Sequence, residues 1–106
     1  MSKDDGLNKL VKLLTHGLSH KIGSIVNKDS YYSEKYAKEA INFFNLAKKV
    51  SIEGNWNRKD LDLIEKLLRK KLIEELKAKS FLDEKKFEFV DFELEKCLKE
   101  LELILS

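Results

Sequence analysis

Proline is absent from the 106 residues, glycine occurs four times and cysteine once. These shortages exclude collagen-like, proline-rich and linker-dominated architectures, and they sit badly with an all-β chain and its many tight turns. Cys97 stands alone, so neither an intramolecular disulfide nor a cysteine cage for a metal can form. Arginine is scarce too. Arg58 and Arg69 are the only two, which leaves few bidentate readers of phosphate or carboxylate. No apolar run approaches the roughly 18 residues of a membrane span. The polar, acidic start Met-Ser-Lys-Asp-Asp-Gly is unlike a secretory signal. A cytoplasmic protein without a membrane partner is expected.

What is present is core material and charge. Leu, Ile, Val and Phe number 35, enough for one hydrophobic core in a single domain spanning 1–106. Charged residues make up 38% of the chain, yet the net charge is only +2. That balance is unlike a dedicated nucleic-acid binder. It is uneven along the chain: residues 1–58 carry ten basic and six acidic groups, residues 59–106 eleven and thirteen.

The periodicity predicts four helices, at about 5–26, 31–50, 58–79 and 83–105. In the first, Leu7, Leu10, Val11, Leu14, Leu18, Ile22 and Ile25 recur on one helical face. Gly17 and Gly23 either weaken that helix or let a neighbour approach closely. The second presents Tyr36, Ala40, Phe43, Phe44, Ala47 and Val50 inward. Between the second and third, Gly54 suits a helix end with positive φ. Asn57 and Asp60 form a helix start, and Trp56 with Leu61 is spaced as a hydrophobic staple. The third helix turns Leu61, Ile64, Leu68, Leu72 and Leu76 inward, and the fourth Phe87, Val90, Leu94, Cys97, Leu98, Leu101 and Leu105. Short turns join these amphipathic segments. The expected fold is all-α, a four-helix up-down bundle.

No nucleotide-binding glycine loop, nucleophile elbow or HExxH motif occurs, so no catalytic residue, cofactor or metal is expected. His16 and His20, at i and i+4, could face one metal ion, but no acid stands beside them to complete a site. With Lys9 and Lys12 they read as a solvated polar face, or as one turned toward phosphate. Lys59, Lys66, Lys70 and Lys77 follow steps of 7, 4 and 7, which puts them on one stripe about 27 Å long. Such a line can follow a phosphate backbone, although Asp62 and Glu65 also form ordinary i, i+4 pairs with Lys66 and Arg69. Trp56 could stack on a base or serve the staple alone.

The fourth helix carries a second apolar face, Phe89, Phe92 and Leu103, set well away from its inward stripe. A helix with two apolar faces meets another chain or is covered within its own fold. The leading expectation is a small non-enzymatic interaction or accessory protein that self-associates, or docks on a protein partner, through that face. The alternative is a nucleic-acid-binding accessory module using the lysine stripe and the basic face of the first helix.

Overall fold

The computed structural model describes residues 2–103. They form α1 (Lys3–Val26), α2 (Ser33–Glu53), α3 (Arg58–Ala78), a 3-10 turn (Glu84–Phe89) and α4 (Val90–Glu100). Among the described residues there is no strand, and no helix is long and apolar enough to cross a membrane.

Ser2 caps α1 by accepting the Asp5 N–H at 3.2 Å, two residues earlier than the first apolar position suggests. Leu10, Leu14, Leu18 and Ile22 then lose all contact with water. At about 1.5–3 kcal/mol for each fully buried large aliphatic side chain, this stripe organises the fold. Packed around it are Ile64, Leu68, Leu72 and Leu76 of α3 and Val90, Leu94, Cys97 and Leu98 of α4. An ion pair between Lys3 and Asp60 brings the starts of α1 and α3 together. At the far end Asn27 accepts the Asp83 N–H at 3.3 Å. The chain therefore runs up and down as a four-helix bundle.

The bundle is unequal. α1 touches α2, α3 and α4, whereas α2 packs closely on α1 alone. That contact is intimate because Gly17 leaves room: a Cβ there would lie 2.8 Å from Cε1 of Phe44 and 3.3 Å from Cβ of Phe43. Gly17 serves close approach.

The start of α3 is built as expected. Asn57 Oδ1 accepts the Asp60 N–H at 2.9 Å, and Asp60 Oδ2 accepts the Asn57 N–H at 2.9 Å. Lys3 and the Asn57 N–H hold the Asp60 carboxyl below its ordinary range. Gly54, by contrast, has φ −81° and not a positive value. Its small size is what counts, since a Cβ there would overlap the Trp56 indole. That ring stays in place by donating its N–H to the Ser51 carbonyl at 3.0 Å.

The fourth segment departs most from expectation. It is not one helix over 83–105 but a 3-10 turn followed by an 11-residue α-helix. The turn brings Lys86 beneath the end of α3, where it is buried and donates to the Lys79 carbonyl at 2.8 Å. A cation at a helix C-terminus satisfies a carbonyl that otherwise lacks a partner. α4 ends at Glu100 because Glu102 takes φ 56°. The Leu103 N–H then reaches the Leu98 carbonyl at 2.8 Å and the Glu102 N–H the Lys99 carbonyl at 3.1 Å. This is a Schellman end, with Leu98 and Leu103 in its apolar contact positions. Leu105, expected on the inward stripe, lies outside the described residues.

Glutamate is a poor occupant of the left-handed position. Glu102→Gly is expected to raise stability by about 0.5–1 kcal/mol, read as a higher urea midpoint at unchanged slope.

Candidate functional site

The three members of the second apolar face on the fourth segment separate. Leu103 is buried in the core, Phe89 is half-buried against it, and Phe92 alone stands out, 65% exposed. The expected face therefore shrinks to one residue. The Schellman end is the reason, since it turns Leu103 back onto Leu98.

A larger apolar exposure lies on α2 and the turn before it. Tyr31 is 92% exposed, Ile52 73% and Ile41 59%, with Tyr32 and Leu46 about half exposed. Ile41 and Ile52 are eleven residues apart, which returns a helix almost to the same angle. They form one line, apart from the buried Ala40 and Ala47. Lys48, seven residues after Ile41, lies on that line between the two isoleucines, with Lys49 beside it, and both are exposed. Sequence reading passed over this line because Phe43 and Phe44 already supplied an inward face. The eleven-residue spacing was its available signal.

The lysine stripe of α3 is present as drawn. Lys59, Lys66, Lys70 and Lys77 are all exposed. Lys66 pairs with Asp62 at 2.9 Å, which raises its pKa. Lys9 and Lys12 are exposed on α1. Lys12 shares an open groove with His16, Lys71 and Glu74, so Lys71 joins that basic edge and was missed. Trp56 is half-buried over Gly54 with its N–H bound to Ser51, so its ring packs on the end of α2.

The two histidines do not form the solvated face expected of them. His16 Nδ1–H donates to Glu75 Oε1 of α3 at 2.8 Å. His20 Nδ1–H donates to the His16 carbonyl at 2.7 Å, and its Nε2 is 2.9 Å from Glu39 Oε2 of α2. Both rings also lie about 5.4 Å from that of Phe43. They are bridges between helices because carboxylates on α2 and α3 stand opposite them, a match no single-helix wheel reveals.

Ser19 belongs to the same network. Its hydroxyl donates to Glu75 and accepts from Lys79 Nζ at 3.0 Å. Burial lowers the Lys79 pKa, against the pull of Glu75 and Glu39. A serine beside such a lysine resembles an activated nucleophile, but Ser19 is fully buried and its proton already has a carboxylate acceptor. The cluster joins helices. Among the described residues, no group of three or more His, Cys, Asp or Glu side chains is placed to hold a metal.

Between α2 and α4, over α1, lies a small cavity of about 80 Å³ lined by Leu18, Lys21, Phe44, Glu93, Cys97 and Leu101, among others. Glu93 is buried with its Oε1 against the Lys21 ammonium, an ionic contact without an aligned hydrogen bond. Burial pushes the Cys97 thiol up to about 12, so thiolate is scarce at neutral pH. Iodoacetamide at pH 8 is expected to leave Cys97 unmodified in the folded protein and to alkylate it in urea, as intact mass will show.

Comparison of the chain with protein-family models, with curated proteins and with solved structures gives no significant match.

Proposed function

We propose that this chain is a non-enzymatic helical interaction protein and that α2, with Phe92 of α4, forms its docking surface. The observation that carries this reading is the position of α2: it packs on α1 alone and exposes Ile41 and Ile52 on one line. Scattered exposed hydrophobics are ordinary on any protein. A helix at the edge of a bundle with an aligned apolar pair and two tyrosines at its start is the kind of patch that partners cover.

A second reading rests on its own observation. The four lysines of α3 stand exposed along one line, and only Lys66 has an ion-pair partner among the described residues. A nucleic-acid accessory role would use them as sequence-independent phosphate contacts.

A photo-crosslinking amino acid placed in turn at Ile52 and at Lys70 separates the two. Protein adducts from position 52, lost on adding Ile41→Asp, are the expected result. Nucleic-acid adducts from position 70 with none from position 52 would replace the first reading by the second. Adducts from neither position would overturn both.

A further inference from the structure

We infer that the seat of α2 on α1 is proton-dependent: a clasp between His20 of α1 and Glu39 of α2 is complete only while the His20 ring carries a proton on both nitrogens. Its regulatory meaning rests on the docking role proposed above for α2.

The ring is fixed at both nitrogens. Nδ1 lies 2.7 Å from the His16 carbonyl oxygen and Nε2 lies 2.9 Å from Glu39 Oε2. Both facing atoms are acceptors. A neutral imidazole has one N–H, so it satisfies one contact and sets a lone pair against an oxygen in the other. The imidazolium has two N–H groups and satisfies both. Little water is at hand to mend a broken contact, because the His20 side chain is 18% exposed. It packs against the rings of Tyr36 and Phe43, 5.6 and 5.3 Å away.

His16 provides the contrast on the same helix. Its Nδ1–H donates to Glu75 at 2.8 Å, a bond that needs one ring proton only. The α1–α3 seam therefore keeps its histidine bond with a neutral ring, whereas the α1–α2 seam loses one. Charges of both signs surround the clasp. On α2, Lys35 Nζ is 3.9 Å from Glu39 Oε1, and Lys79 of α3 feels both Glu75 and Glu39. These cations temper the field of Glu39, and His20 Nε2 is the donor placed against its Oε2.

Topology makes this local chemistry the property of a surface. α2 packs closely on α1 alone, and among the described residues His20 with Glu39 is the ion pair that joins them. The Ser33 hydroxyl adds a hydrogen bond to the Ser24 carbonyl at 2.9 Å. The contact is complete on the acid side of the histidine range and loses a hydrogen bond as pH rises through it, between about pH 5 and 8. Ile41 and Ile52 belong to the same helix, so their rigid presentation follows the proton.

Amide hydrogen exchange without any partner tests the clasp. Protection factors, each referred to the intrinsic rate at the same pH, should fall for residues 33–53 at least about threefold more than for 58–78 between about pH 5.5 and 8. The fall should coincide with loss of the His20 Nε2 proton in nitrogen NMR spectra of the ring. Glu39→Gln should flatten it, because the carboxamide can donate an N–H to the bare Nε2 of a neutral ring. An unchanged circular dichroism spectrum confirms folding of the variant, and the coincidence with the His20 ring is read in wild type alone. Equal change in both helices, a fall that follows the His16 ring instead, or the same fall in Glu39→Gln would each overturn the clasp. No partner enters the measurement, so a failed crosslink at position 52 and a failed clasp are separate results.

Discussion

Lys21→Met is expected to lower the free energy of unfolding by about 2–3 kcal/mol, read from urea midpoints at constant slope. Glu93 is 4% exposed, and among the described residues Lys21 is the cation in ion-pair contact with it. Removing the ammonium leaves a carboxylate buried beside Phe44, Leu18 and Leu101, with nothing to replace the lost hydration. Breaking a fully buried pair costs about 3–5 kcal/mol. The Lys21 side chain keeps 32% of its surface in water, which places the effect below that range. Lys21→Met combined with Glu93→Leu should recover most of the loss, because two apolar side chains can fill the site without an orphaned charge. If the double variant were as unstable as Lys21→Met alone, packing around the cavity and not the charge would be responsible.

The leucines that α1 and α3 turn inward were legible in the sequence because burial against one centre imposes a period of 3.6. Asn57 and Asp60 were legible for a similar reason: a capping box is local, and its geometry is complete within four residues. What escaped depended on distant partners. Lys86 is buried because the Lys79 carbonyl, seven residues back and across a turn, needs a donor. His16 and His20 turn inward because Glu75 and Glu39 meet them from two other helices. Leu103 looked like part of an outer face because a straight helix was extended past Glu100, and one residue at positive φ reversed its direction. The same limit applied to the candidate surface. Phe92 was found from its own helix, whereas the exposure of Ile41 and Ile52 follows from α2 having a single neighbour, a fact of topology.

That single neighbour makes Gly17 the position with the widest consequences. Gly17→Leu is expected to destabilise the α1–α2 contact by about 3 kcal/mol. Replacing glycine in a helix returns up to about 1 kcal/mol of helix propensity. Overpacking costs about 1–3 kcal/mol and sometimes more. For alanine the two nearly offset, since a small shift of the Phe44 ring relieves the 2.8 Å approach. Leucine adds three further carbons where the Cβ of Phe43 is already 3.3 Å away, and the helices must part. Because α2 packs closely on α1 alone, the strain should be relieved by detaching α2 as a unit while α3 and α4 hold α1. Hydrogen exchange gives the check: amides of 33–53 should lose protection while those of 58–78 keep it. Uniform loss over both helices would show that α2 is not a separable layer. Uniform retention would show that the seam yields without cost. In the expected case the surface of Ile41 and Ile52 is removed from its rigid support, and association through α2 should fail together with its protection.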